Sequence, residues 1–210
     1  MTNRRFASIL GRPLAAALAL WVSSGAQAGG IDHAVGPGDA TGIYQRKYQL
    51  ALQDVVPLLV IGTALWEGDD SRLGHSAWQS TDSILLGEVT AAGMKLAFTR
   101  ARPSQTTDSG RWFQGKGHYS FPSGEVMEIT TAVTPFVLEY AGEHPAVWAL
   151  ELLPLYDAVA RVRAQAHWQT DVLASLAIGS AIGYYAHSRP TSFTVGVLPR
   201  GMTIGWKKSF

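Results

Sequence analysis

Apolar residues recurring at helical spacing constrain this chain more than any other feature. Between Ile43 and Trp66, the residues Leu52, Val55, Val56, Leu59 and Trp66 fall at the three-, four- and seven-residue offsets of one helix face. Pro57 predicts a kink or a boundary there, and "EGDDSR" closes the stretch. A second helix is expected over Asp82–Arg100, with Asp82 as its cap and Ile84, Leu85, Val89, Met94 and Leu96 as its inner face. Three more helices are expected, over Ser123–Ala141, stopped by Gly142, then Pro145–Arg163 and His167–Ala186. Only the tail differs. "SFTVGVLPRGMTIGW" holds two short β-rich runs around Pro199-Arg200-Gly201, which is a hairpin signal. The fold expected is therefore all-α: a helical bundle of about five to six helices with a short C-terminal β-hairpin. At 210 residues the chain is long enough for one domain with a real core and too short for two ordinary ones.

The first segment stands apart from that domain. Residues 1–28 carry Arg4, Arg5 and Arg12, no acid, an apolar run from Leu14 to Val22 and the small-x-small ending Ala26-Gln27-Ala28. That pattern predicts a secretory signal peptide cleaved after Ala28, and a periplasmic location. A membrane anchor is the alternative, but the apolar run is short for a span. The remaining domains are an extended lead-in over 29–42, a helical domain over 43–190 and the hairpin over 191–210. Without the three signal arginines the chain holds 14 basic and 16 acidic residues, which argues against a nucleic-acid partner. It has no cysteine, so the exported domain must be held by its core rather than by disulfides. No metal site is expected. Val55–Trp66 and Val172–Ala186 fall short of the ~20 residues a bilayer requires, and Pro145–Val162 contains Glu151 and Asp157. A soluble domain is expected, with a peripheral membrane contact left open.

Three polar stretches share one chemistry. In "KLAFTRARP", Lys95 and Arg102 lie near a helix C-terminus, where cations are ordinary. In "SFPSGE", Pro122, Ser123 and Gly124 open a helix, where free N–H groups and a hydroxyl can either cap the helix or hold an anion. In "ARVRAQAHWQTD", His167 and Asp171 are four residues apart, so on a helix the carboxylate can orient the imidazole, and Arg161 lies six residues upstream. Each stretch alone has a structural explanation. Together they supply cations, amide donors and an oriented histidine, the set that phosphate chemistry requires. The long polar connection Ala101–Phe121 is of a length that is usually functional in a compact domain.

The arrangement resembles the type 2 phosphatidic acid phosphatases of the acid phosphatase / vanadium haloperoxidase superfamily. Their pattern is K-x6-R-P, then P-S-G-H, then S-R-x5-H-x3-D. Lys95 to Arg102-Pro103 fits the first motif. Arg161, His167 and Asp171 fit the third, with Ala160 in place of serine. The resemblance implies that His167 is a nucleophile forming a phosphohistidine, that Asp171 orients it, and that Lys95, Arg102, Arg161, Ser123 and the Gly124 amide bind phosphate. It implies no cofactor and no metal for hydrolysis. The partner it implies is a phosphorylated small molecule or lipid; it leaves the oligomeric state open.

The second motif reads Pro122-Ser123-Gly124-Glu125, with Glu125 where the family has a proton-donating histidine. Three readings stand. Glu125 replaces the histidine as general acid, which requires it to be protonated. Another residue donates, His118 of "GKGHYSF" being the nearest. Or hydrolysis is lost or redirected, with Glu125 pairing with Arg161 or Arg102 as an internal anion. Trp112 and Phe113, in the long loop, could contact a lipid tail or pack locally.

Overall fold

A computed structural model describes residues 30–36, 38 and 40–189, together with the backbone of 193–198 and 201–206. After a 3-10 turn at Gly42–Tyr44, five α-helices follow: α1 (Arg46–Glu67), α2 (Arg72–Phe98), α3 (Gly124–Tyr140), α4 (Leu152–Arg163) and α5 (Gln169–His187). The expected signal peptide lies outside the described residues. The tail backbone runs as two antiparallel strands, β1 (Phe193–Leu198) and β2 (Gly201–Trp206), with Phe193 opposite Trp206. How the tail sits on the bundle lies outside the described residues.

Helix α3 is the centre of the bundle and packs against all four others. It buries residues all round, from Val126 to Val137, as a helix without a solvent face does. One apolar cluster joins Val126 of α3 to Ala158 and Val162 of α4 and Val172 and Leu176 of α5. A second joins Val56 and Val60 of α1, Ile84 of α2 and Ala132 of α3. Elsewhere α3 is met by glycines. A Cβ on Gly87 of α2 would lie 2.9 Å from Thr131 Cγ2, and one on Gly183 of α5 would lie 2.5 Å from Thr134 Cβ. The threonine hydroxyls at these contacts bond back to the helix itself, Thr131 to Glu128 O at 2.7 Å and Thr134 to Thr130 O at 2.8 Å. The contact thus closes without unpaired hydroxyls.

Several expectations change. Helix α2 begins at Arg72, ten residues before Asp82. Ser71 caps it, its Oγ accepting from the Gly74 amide at 3.0 Å. Asp82 is buried in mid-helix, 3.6 Å from Arg189 Nη1. The early turns were invisible as apolar periodicity because they bury Gly74, Ser76, Ala77, Gln79 and Ser80 instead. Pro57 neither ends nor divides α1, whose 22 residues exceed the Val55–Trp66 stretch weighed as a membrane span. The region expected as one helix over Pro145–Arg163 is a 3-10 helix to Glu151 followed by α4. Pro154 lies in the first turn of α4, where its missing N–H costs no helical bond.

The inner faces of α1 and α2 are also not those expected. Helix α1 buries Gln49, Val56, Val60 and Ala64, while Val55, Leu59 and Trp66 face outward, Trp66 with 89 % of its surface exposed. On α2, Ile84 is buried but Leu85, Val89 and Leu96 are exposed. Small and polar side chains line the helix contacts, and much of the large apolar surface points away from the bundle. By length and composition α1 is long and apolar enough to cross a membrane, alone in this among the described residues.

Candidate active site

Four elements deliver the polar side chains to one end of the bundle. The last turn of α2 supplies Lys95, whose Nζ donates to Pro122 O at 2.7 Å. A Cβ added to Gly124 would lie 3.4 Å from the same Nζ, so the lysine stands at the start of α3. The connection after α2 supplies Arg102, which donates to Ala166 O at 3.1 Å and to Tyr119 O at 3.4 Å. The last turn of α4 supplies Arg161, whose Nη1 donates to Gln49 Oε1 at 3.1 Å. At the N-terminus of α3, Ser123 is the cap residue by position, yet its Oγ makes no cap bond. Ser123 Oγ and Arg161 Nε are buried and have no hydrogen-bond partner among the described residues. Buried donors are rarely left in that condition, and both are suited to an anion.

Electrostatics point the same way. Burial pulls Lys95 down, and the charges of Arg102 and Arg161 add to this, to a pKa of about 8. Burial likewise lowers Arg102 and Arg161 from the ordinary arginine value, against the pull of Glu125. Cations that depress one another in this way gain most from an added anion.

His167 lies just before α5, not on it as expected; Trp168 is the N-cap. The imidazole is buried, and its Nδ1 lies 2.6 Å from Ser120 O. A carbonyl only accepts, so Nδ1 carries the proton and Nε2 holds the lone pair. Asp171 stands 3.8 Å from Nδ1, beyond a hydrogen bond. It acts at one remove: it accepts from Ser120 Oγ at 2.5 Å, from the Trp168 amide at 2.9 Å and from Arg100 Nη1 at 2.5 Å. Burial pushes the His167 pKa down to about 4; Asp171 pulls it upward less, and Arg161 and Arg102 push it further down. The histidine is therefore neutral across the physiological range. Burial pushes the Asp171 carboxyl up, but His167, Arg100 and Ser120 outweigh it and keep it below the ordinary value.

Glu125, in the first turn of α3, is in the same cluster. Arg46 of α1 reaches it with both terminal nitrogens, at 2.5 and 3.0 Å, and Arg161 Nη1 lies 3.4 Å away. Burial, the largest single influence, raises the Glu125 carboxyl, but the Arg46 bonds and the charges of Arg161, Arg46 and His167 together hold it below its ordinary pKa. His118 is half-buried, and its Nδ1 is buried with no hydrogen-bond partner among the described residues. Trp112 packs locally, with its ring 5.1 Å from Phe121 and 4.3 Å from the Arg100 guanidinium, whereas Phe113 is exposed.

All eight residues singled out from the sequence are thus found around one end of the bundle. Sequence reasoning missed Arg46, Gln49, Arg100, Ser120 and Asp32, which accepts from Arg100 Nη2 at 2.7 Å. Arg100 is the first of the two arginines in "TRARP", and its place two residues before Arg102 was the one available signal. Arg46 and Gln49 carry none, because only the packing of α1 brings them near α3 and α4.

The sequence profile of the PAP2 superfamily matches residues 77–193, more than half of the chain, and the chain belongs to that superfamily. Comparison with curated proteins and with solved structures finds no match. The matched region contains Lys95, Arg102, Ser123, Gly124, Glu125, Arg161, His167 and Asp171, but not α1 with Arg46 and Gln49.

Proposed function

We propose that this chain is a phosphatase-type hydrolase that cleaves a phosphate monoester or a lipid (pyro)phosphate through a phosphohistidine. The observation that carries the reading is the buried, neutral His167 set among Lys95, Arg102 and Arg161. Nε2 attacks phosphorus in line while the three cations, Ser123 Oγ and the Gly124 amide take the charge of the phosphoryl oxygens. Asp171 fixes the attacking tautomer through Ser120. Water then cleaves the phosphohistidine and releases phosphate.

Glu125 occupies the position where the resembled family places its proton-donating histidine. Held ionised by Arg46 and Arg161, it is a poor acid by itself. That favours substrates with good leaving groups, such as diphosphates. The exposed apolar faces of α1 and α2 support a lipid substrate and a membrane-associated protein, because α1 brings Arg46 to the site and carries Leu58, Leu65 and Trp66 on its outer surface. The features of residues 1–28 support export to the periplasm with cleavage after Ala28.

The test is phosphate release from p-nitrophenyl phosphate and from a lipid diphosphate by the wild type, His167→Ala and Glu125→His. Turnover by the wild type, abolished in His167→Ala and raised in Glu125→His, is the expected result. A second reading is favoured by the Arg46–Glu125–Arg161 contacts: the carboxylate occupies the anion position, and the protein binds phosphorylated ligands or assists a partner without hydrolysis. Absence of phosphate release on every substrate would select it.

A further inference from the structure

Arg161 is engaged on one side of its guanidinium and not on the other. Nη1 donates to Gln49 Oε1 at 3.1 Å and lies 3.4 Å from Glu125 Oε1. Nε is buried and has no hydrogen-bond partner among the described residues, the same condition as Ser123 Oγ. The engaged side belongs to a second cationic group. Arg46 Nη1 donates to the same Gln49 oxygen at 3.2 Å, and both terminal nitrogens of Arg46 hold Glu125, at 2.5 and 3.0 Å. Gln49 is fully buried, and its amide nitrogen is fixed on Tyr44 O at 2.8 Å, which leaves its oxygen to the two arginines. One amide oxygen thus draws together two guanidinium groups that repel each other. An anion between them offsets that repulsion, and Glu125 is the anion there.

We propose that Arg46, Gln49 and Arg161 form a second anion subsite beside the phosphate cradle, and that Glu125 holds the place of a substrate's second phosphoryl group. The ligand class is a diphosphate. Its first phosphoryl group lies among Lys95, Arg102, Ser123 and the Nε side of Arg161; the next lies between Arg46 and Arg161 Nη1. The proposal rests on the phosphatase reading for the first group and derives the preference for diphosphates from recognition rather than from leaving-group chemistry. A guanidinium is a rigid planar fork, so anions on neighbouring sides of Arg161 are close together, as linked phosphoryl groups are. Arg46 is the accessible member, with 45 % of its side chain exposed, so an incoming anion can exchange with the Glu125 carboxylate there. As Nε2 of His167 bonds to the first phosphorus, the bridging P–O bond breaks. Its electron pair goes to the departing phosphate, whose charge Arg46 and Arg161 take up.

The probe is methylenediphosphonate, a diphosphate analogue whose bridging carbon resists hydrolysis, compared with inorganic phosphate by titration calorimetry. Wild type should bind the diphosphonate more tightly by about tenfold or more. Arg46→Gln should lower that ratio by about tenfold, and Arg46→Lys should restore only part of it, because an ammonium lacks the fork. Arg111→Gln removes an exposed charge from the connection after α2 and should leave the ratio as in wild type. Equal wild-type affinities, a ratio that survives Arg46→Gln, or one that falls as far in Arg111→Gln overturn the subsite. Thermal melting checks folding. If Arg46→Gln does not fold, Glu125→Gln decides: it should tighten the diphosphonate more than phosphate, and an equal gain on both overturns the subsite. Turnover separates the two claims. His167-dependent phosphate release with a ratio indifferent to Arg46 sinks the subsite alone. A ratio that depends on Arg46, with no phosphate released from any substrate, ends the phosphatase reading and leaves a diphosphate-binding site.

Discussion

Arg46 of α1 holds the Glu125 carboxylate of α3 in a two-point contact at 2.5 and 3.0 Å, across 79 residues of sequence. The pairing has a consequence for ligand binding. The arginines best placed to hold a phosphate are partly neutralised by a side chain of the same sign as phosphate. Converting Glu125 to Gln keeps its shape and removes its charge. Inorganic phosphate should then bind more tightly, by on the order of tenfold, equivalent to about 1.4 kcal/mol. Arg46→Gln should act in the opposite direction. Titration calorimetry with inorganic phosphate checks both, and equal affinities in all three proteins would show that the Glu125 charge lies away from the anion position.

The depressed pKa of His167 predicts a pH dependence of stability. The folded protein keeps the imidazole neutral down to about 4, whereas the unfolded chain protonates it at the ordinary value near 6.5. Between those limits the unfolded state binds more protons, so stability is complete above about 6.5 and is lost as pH falls toward 4. The loss is on the order of 3 kcal/mol. Buried acids titrate in the same range, so the readout is the difference between wild type and His167→Gln. Urea unfolding at pH 7, 5.5 and 4 should show the wild type losing that much relative to the variant. Parallel curves would mean that the imidazole is accessible to protons in the folded state.

Arg100 ties the lead-in segment to the nucleophile. It is buried, pairs with Asp171 and with Asp32 at 2.7 Å, and lies against the rings of Trp112 and Trp168. Asp32 in turn accepts from the Thr170 amide and hydroxyl at 2.8 and 2.6 Å. Arg100→Met leaves the buried Asp171 and the part-buried Asp32 without their cation and should cost about 3–5 kcal/mol. Arg100→Lys should recover only part of this, because a single ammonium cannot bridge both acids as the guanidinium fork does. Adding Asp32→Asn to Arg100→Met should restore stability by removing one uncompensated charge. Chemical denaturation of these proteins and of the Asp32→Asn single variant, five in all, tests the set, and additive losses in the double variant would argue against a shared network.

The helical class and the five helical regions could be read from periodicity, because Leu, Ile and Val at helical offsets mark a helix whichever way its apolar face points. The direction of that face could not. Leu59, Trp66, Val89 and Leu96 were placed inside, since apolar stripes face the core of a water-soluble bundle. In this chain the contacts are made by Gly87, Gly179, Gly183 and the threonines of α3, whose small size carries no periodic signal. The site was legible where its residues sit at fixed spacing within one element or loop, as Lys95 and Arg102 do. Arg46 and Gln49 were not legible, because long-range contacts to Glu125 and Arg161 have no local pattern.

The outward apolar face yields the last prediction. Helices α1 and α2 are joined by four residues and pack side by side, so the start of α1 lies beside the end of α2, where Lys95 is. Leu58, Leu65 and Trp66 of α1 and Val89 and Leu96 of α2 are each more than two-thirds exposed. An apolar surface of this kind on one side of a bundle is an interaction site rather than ordinary protein surface. Helix α1 would extend about 33 Å, comparable to the hydrocarbon thickness of a bilayer. Burying a Leu side chain stabilises by about 1.5–3 kcal/mol, so even partial insertion of several would bind vesicles firmly. The protein should therefore sediment with vesicles of phosphatidylethanolamine and phosphatidylglycerol. The triple substitution Leu58→Ser, Leu65→Ser and Trp66→Ser should release it while leaving helix content and p-nitrophenyl phosphate hydrolysis unchanged. Retention of the triple variant on vesicles would place the membrane contact elsewhere, and a wild type that stays in the supernatant would assign this face to another protein chain.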